Sequence, residues 1–319
     1  MLKQLIRKFK PSIALYNFFK RSELEHNLEK YTKYGIDKKY YSSVSSHDFI
    51  GLESPLNIHD RLNSRDILPQ QKLFNELPRQ RQEELLSWSD DGYVILKNFF
   101  SLDRVQQINE EVSELDRSGQ ANWVGNKMMF AIHYSNIILG ASADPDLMKI
   151  IDLLMGKKME LFQSINFLTG SEQRTHSDSV HMSTFPYGNI IAAWIALEET
   201  TADNGPLHYY PGSHKLPYIV NQDFGNTGSR LFLGDKDYSA YEDKISDVLS
   251  EHDFERKTLF AQPGDILLWH SNLLHGGEPH HDKNLTRKSL VTHYYAEDAI
   301  CFHEISQRPT LKRKLNLPS

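Results

Sequence analysis

The pattern of apolar and polar positions divides the chain into an irregular first quarter and a strand-rich remainder. Residues 1–85 are polar, show little strand-like alternation, and carry loop stretches such as YYSSVSSHDF and LESPLNIHDRLNSRD. Within them Leu2, Leu5, Ile6 and Phe9 recur at helical spacing, with Lys3, Arg7, Lys8 and Lys10 mostly on other faces. Pro11 is expected to interrupt that helix, and Phe18, Phe19, Lys20 and Arg21 continue the aromatic and basic mixture. Residues 76–89 (ELPRQRQEELLSWS) predict a short helix leading into a turn at Asp91 and Gly92, followed by an apolar strand from Tyr93. Ser101 is placed to cap a helix running to about Asp116. Residues 144–155 (DPDLMKIIDLLM) predict another helix, with Gly156 where a terminating glycine belongs.

From Glu160 the runs become short, β-branched and aromatic: LFQSINFL, NIIAAWIAL, LHYYPG, DILLWH and SLVTHYYA, separated by Gly, Pro, Asn and Asp. Many short strands with turn signals argue for a mainly β sandwich or jelly roll with flanking helices, not a parallel sheet. The interval 215–262 interrupts them with a charged, helix-compatible piece (SAYEDKISDVLSEHDFERK) and reads as an insertion or lid. The expected organisation is a helical and irregular extension over 1–85, a jelly-roll unit over 86–305, and a tail over 306–319.

Composition narrows the function classes. A formal net charge of −6 and a pI near 6.2 argue against general nucleic-acid binding. The single cysteine, Cys301, allows no intrachain disulfide and no thiolate cluster. No run approaches the ~20 apolar residues of a membrane-spanning helix. The N-terminus lacks the continuous apolar stretch of a secretory signal, so a cytoplasmic protein is expected.

The sharpest chemical feature is Arg174-Thr175-His176-Ser177-Asp178. In an extended chain His176 and Asp178 share a face, so an imidazole and a carboxylate can occupy adjacent positions on one metal ion. Alone, that pattern also describes a surface histidine beside an aspartate. DILLWHSNLLHGG offers two candidates for a third ligand, His270 and His275. Two histidines and one carboxylate make the facial triad of non-haem iron(II) oxygenases, although a hydrolytic zinc centre could use the same set. Further on, alternation puts Arg287, Ser289, Val291 and His293 on one face and Lys288, Leu290 and Thr292 on the other. A guanidinium facing inward with a hydroxyl beside it makes a carboxylate cradle, for which a zinc hydrolase has no evident use.

These residues carry a family resemblance. DGYVILKNFFSLDRVQQINEEV, HSD, WIALEETTADNGPLHYYPGSHK and PGDILLWHSNLLHGG followed by TRKS resemble the phytanoyl-CoA dioxygenase family of iron(II)/2-oxoglutarate-dependent oxygenases, over roughly residues 90–300. The resemblance implies a double-stranded β-helix (jelly roll, cupin-like) core and His176, Asp178 and His275 as Fe(2+) ligands. His275 is preferred to His270 because the family's distal histidine directly precedes Gly or Ser, and His270 falls to the rim or to a place just behind the ligands. Arg287 would grip the distal carboxylate of the co-substrate 2-oxoglutarate, helped by Ser289. Gln163 and Asn166, on a strand ahead of HSD, are further candidates near co-substrate or substrate, although their opposite parity lets a regular strand aim only one inward. Trp194 is expected in the core, and His280 and His281 in solvent.

The implied reaction consumes 2-oxoglutarate and O2, releases succinate and CO2, and hydroxylates an aliphatic C–H bond of a small-molecule or lipid-linked substrate. Asp178 favours hydroxylation over halogenation, since the halogenases of this superfamily have a small residue at that position. The competing readings are a catalytically silent jelly-roll binding module and a zinc-dependent hydrolase. The basic, aromatic segment 1–22 packs on the jelly roll or, alternatively, contacts a membrane surface.

Overall fold

The computed structural model describes residues 6–52 and 63–315, so Leu2, Leu5 and the loop stretch over 53–62 lie outside the described residues. Short helices and turns build the first quarter. A helical stretch over 6–8 breaks at Phe9, which is extended, and helix α1 (Lys10–Phe19) then carries Pro11 in its first turn, where a missing N–H costs no hydrogen bond; the expected interruption is present, and Pro11 opens the second helix. The predicted 76–89 helix is cut back to α2 (Arg79–Leu85), because Pro78 stands at its N-cap in extended backbone. A separate helical turn over Trp88–Asp91 ends at Gly92, whose φ is 75°; a Cβ there would lie 2.3 Å from the His214 ring, so only glycine fits.

The predicted caps are found. Helix α3 (Leu102–Arg117) starts where the Ser101 side chain accepts from the Arg104 N–H, and buries Val105, Ile108, Val112 and Leu115 at helical spacing. After α4 (Asn136–Ser142), α5 (Pro145–Met155) begins under the Asp144 carboxylate and ends at Gly156 with φ 61°.

The strands are β1 (Tyr93–Leu96), β2 (Trp123–Val124), β3 (Lys127–Met129), β4 (Met159–Phe167), β5 (Ser183–Phe185), β6 (Ile190–Ala196) and β7 (Leu207–Tyr209). Helix α6 (Tyr238–Ser250) separates them from β8 (Lys257–Leu259), β9 (Ile266–His270), β10 (His275–Gly277), β11 (Ser289–Ala296), β12 (Ile300–His303) and β13 (Arg308–Pro309). A seven-stranded antiparallel sheet has the order β1-β9-β6-β11-β4-β3-β2, and two three-stranded sheets have the orders β10-β7-β8 and β13-β12-β5.

Both faces of the large sheet are covered, which is why β6 and β11 are buried throughout. One face (Ile191, Ala193, Ile195, Leu290, Tyr294) packs against α3, α4 and α5. The other (Trp194, Leu267, Trp269, Val291) meets Leu207, Tyr209 and Leu259 of the β10-β7-β8 sheet. This is the expected jelly roll, mainly β with flanking helices. The N-terminal extension is anchored to the third sheet: Phe49 stacks on Phe185 at 4.3 Å, and the buried Glu304 accepts from Ser46 N and Asn221 N. The expected tail is not loose where it is described, because β13 pairs with β12 and Lys312 N donates to Glu23 O.

Candidate metal centre

His176 and Asp178 follow one another on extended backbone, with Ser177 turned away to Tyr241 Oη at 2.8 Å. His275 opens β10, and the backbones of His176 and His275 exchange two hydrogen bonds of 2.9 Å. That bridge fixes the two rings side by side, 4.5 Å between centroids. One ligand atom from each of His176, Asp178 and His275 lies within 4.8 Å of the others, and all three residues are buried.

The hydrogen bonds prepare these atoms for a cation. Nδ1 of His176 faces the Arg174 carbonyl and Nδ1 of His275 the Leu273 carbonyl, both at 2.9 Å. A carbonyl only accepts, so each ring carries a proton on Nδ1 and turns Nε2 toward the shared space. Those Nε2 atoms stand 3.9 and 3.8 Å from Asp178 Oδ1, too far to hydrogen-bond it and suitably spread for ligands of one ion. Asp178 Oδ2 accepts from Trp269 Nε1 at 2.8 Å, which orients the carboxylate. Burial opposes ionisation of Asp178, but His275, His293 and His176 outweigh it and hold the carboxyl well below its usual range. Burial likewise drives His176 well below the ordinary histidine value. Two imidazole nitrogens and a carboxylate oxygen are therefore presented, a donor set that fits iron(II).

Arg287 lines the same cavity, of about 670 Å³. Its side chain is fully buried, with Nη1 donating to Ser289 Oγ at 3.0 Å and the guanidinium lying 5.4 Å from the Trp194 ring and 5.8 Å from Phe167. Nε has no partner and no carboxylate pairs with the group among the described residues. Burial pushes its pKa down to about 10, so it stays charged at neutral pH. A buried cation without an acid calls for an anionic ligand.

The remaining expectations divide. Gln163 lines the cavity, and so does Phe162, because a register shift opposite His293/Tyr294 leaves Phe162 as a bulge. Asn166 pairs with Leu290 on the helix-covered side; it is buried with neither side-chain atom hydrogen-bonded among the described residues, so it does not reach the cavity. His270 alternates away from Trp269, packs near Trp88 and His214, and is buried on the outer face, not at the rim. His280 is buried, bridged to Asn204 and not in solvent as expected, while His281 is exposed. Trp194 is core and cavity wall at once.

Sequence reasoning did not single out Trp269, whose parity opposite His270 was the available signal, or Lys127 and the 306–313 segment, for which there was none. His293, placed by parity with Arg287, stands 3.6 Å from Asp178 Oδ2. No helix among the described residues is long and apolar enough to cross a membrane.

Comparison with known proteins places this geometry in a lineage. The family profile described as phytanoyl-CoA dioxygenase (PhyH) matches residues 88–289. The chain is 27% identical over 210 residues to an ectoine dioxygenase of Sphingopyxis alaskensis, covering 58% of this chain and 66% of that protein, or about two thirds of its length. It is 26% identical to a probable alpha-ketoglutarate-dependent hypophosphite dioxygenase of Stutzerimonas stutzeri, covering 68% of this chain and 79% of that one. The peroxisomal phytanoyl-CoA dioxygenase of Rattus norvegicus is 22% identical, with 68% of each covered. Among solved structures, the carbocyclase SnoK from nogalamycin biosynthesis superposes with a TM-score of 0.57 at 17% identity, covering 71% of this chain and 87% of that one. EctD from S. alaskensis, with 2-oxoglutarate and 5-hydroxyectoine, gives 0.55 at 20%, covering 76% and 86%. At these identities the structural likeness establishes the fold.

Proposed function

The chain belongs to the phytanoyl-CoA dioxygenase family, and on that premise we propose that it is an iron(II)- and 2-oxoglutarate-dependent dioxygenase that hydroxylates an aliphatic C–H bond of a small-molecule or lipid-linked substrate. One observation carries the reading: a three-residue metal cup and a buried guanidinium without an acid line one cavity. His176, Asp178 and His275 would hold the ion, and Arg287 the distal carboxylate of 2-oxoglutarate. Iron(II) with 2-oxoglutarate and O2 would supply the oxidising chemistry, with release of succinate and CO2.

The chain's own residues do the rest. The Arg174 and Leu273 carbonyls fix the histidine tautomers, and Trp269 holds one carboxylate oxygen so that the other faces the ion. Ser289 fixes the guanidinium fork, while Trp194, Leu207 and Val291 keep water from the co-substrate end. A zinc hydrolase would leave Arg287 without a partner. Helix α6, in the proposed 215–262 insertion, braces the site: Tyr241 bonds to Ser177, and Tyr238 accepts from Gln173.

The relatives named for ectoine, hypophosphite and phytanoyl-CoA support a small-molecule substrate. Membrane contact by residues 1–22 is supported by exposed Leu15 and Phe19 beside Lys20 and Arg21; flotation with anionic liposomes tests it, and equal recovery with and without the segment counts against it. The main reading is tested with anaerobically reconstituted protein. Succinate should form only with iron(II), 2-oxoglutarate and O2 together, and absence of 2-oxoglutarate binding would refute the assignment.

A further inference from the structure

The cavity extends beyond the metal cup and Arg287, and its charge is one-sided. Asp178 is the only carboxylate among its described lining residues, whereas Lys127, Arg287, Arg308 and Arg313 all contribute cations. A divalent metal and a dicarboxylate would neutralise each other, so the positive excess persists with both in place. His303 does not add to it: burial pushes its pKa down to about 4.

Two of the cations come from the C-terminal segment. Arg308 lies in β13 and forms no ion pair among the described residues. Arg313 lies 6.0 Å from the Phe130 ring, and its Nε stands 3.6 Å from Glu23 Oε2, beyond hydrogen-bond distance, while Lys20 holds the other oxygen, Oε1, at 2.9 Å. An ion pair so long and exposed contributes little. The segment itself is built in: Thr310 N donates to Cys301 O, Lys312 N to Glu23 O, and Lys312 Nζ reaches Glu160 at 2.7 Å. Met129, Phe130, Phe162 and Leu311 give the cavity apolar wall, beside the polar side chains of Gln163, His293 and Thr310.

We propose that Arg308 and Arg313 bind an anionic group of the substrate, a carboxylate or a phosphate, at the cavity mouth. An apolar body then spans the cavity toward the metal cup. Guanidinium forks match the planar or tetrahedral oxygens of such groups, and the apolar walls match the body. Which end is oxidised rests on the proposed dioxygenase reading, but the anion subsite does not.

The test uses the full chain with iron(II) and saturating 2-oxoglutarate, without oxygen, titrated calorimetrically with 4-phenylbutyrate, phenyl phosphate and the neutral 4-phenylbutanol. At least one anion should bind ~10-fold or more tightly than the alcohol, as expected for charge-assisted hydrogen bonds, and the two anions decide between carboxylate and phosphate. The R308A/R313A double variant, shown folded by circular dichroism, should bind that anion no better than the alcohol. Equal binding of all three probes by the parent overturns the proposal, as does unchanged anion binding by the double variant. In Arg287→Met, assayed without 2-oxoglutarate, anion affinity should persist; its loss there would mean that the probes occupy the Arg287 site, and would also overturn it. Failure of the parent to bind 2-oxoglutarate, with the anion preference intact, would refute the proposed function alone.

Discussion

The matched region, residues 88–289, and the segments flanking it solve different problems with different structural means. Within the match, His176 and His275 share one backbone bridge, Asp178 follows two residues on, and Arg287 lies two residues ahead of β11, so their spacing is set largely by the backbone of the jelly roll. Outside it, the segment from Ser306 to Arg313 lines the mouth of the same cavity and is held by Glu23 of the extension, through contacts between chain ends nearly three hundred residues apart. A strand inside the large sheet is constrained through neighbours on both sides, whereas the 306–313 segment is paired on one side only, through the short β13, and has fewer neighbours to fix its side chains. In this molecule the residues proposed to hold metal and co-substrate and those proposed to bind the substrate's anion are separated along the chain.

The sharpest way to break that separation is to attack the cup. His176→Ala should abolish iron retention, measured by metal analysis, and reduce 2-oxoglutarate turnover beyond the ~10–100-fold expected for a residue outside the coordination sphere. Trp269→Phe removes only the hydrogen bond to Asp178 Oδ2 and should fall within that ~10–100-fold range in iron affinity. If His176→Ala keeps its iron, the chemistry does not reside where the comparison places it.

Next in size is the guanidinium. Arg287→Met should weaken 2-oxoglutarate binding by roughly 10–100-fold, the equivalent of losing a charge-assisted hydrogen bond of ~1.5–3 kcal/mol. Arg287→Lys keeps the charge but loses the fork, and should recover only part of the affinity. Equal affinity in all three proteins would remove the cradle.

How far the sequence reached follows the same division. Period-two alternation placed Arg287, Ser289 and His293 on one face, and the H-x-D spacing brought His176 and Asp178 together, because both are local consequences of extended backbone. Ser101, Asp144 and Gly156 act as helix boundaries for equally local reasons. What was illegible depends on distant partners. The Phe162 bulge arises from pairing with β11, and His280 is buried by its bridge to Asn204. The 306–313 wall has no periodicity to read.

A third prediction sharpens the comparison through acid sensitivity. Burial pushes His214, inside the match, down to about 3, and His26, in the extension, down to about 4. Their unfolded forms take up protons below the ordinary value of 6.5 while the folded forms do not. Stability should therefore fall as pH drops from about 6.5, with His214 contributing up to ~1.4 kcal/mol per pH unit. Denaturant midpoints between pH 7 and 5 should flatten by similar amounts in His214→Gln and His26→Gln, and the two should part only below about pH 4, where His26 also takes up its proton in the folded state.

The smallest effect comes from Asn166 and bears directly on where the cavity wall ends. Its amide is buried on the helix-covered face of β4 with both polar atoms unpaired, while Gln163, three residues earlier, faces the cavity. Burying an amide without partners costs ~1–3 kcal/mol, so a side chain of similar shape without polar atoms relieves that cost. Asn166→Leu should leave stability unchanged or raised by up to ~1 kcal/mol after imperfect packing, and leave the KM for 2-oxoglutarate as it was. Gln163→Leu should instead alter binding in the cavity without a gain in stability. A raised KM in Asn166→Leu, read alongside its melting temperature, would show that the amide reaches the site and that the parity assigned to β4 is wrong.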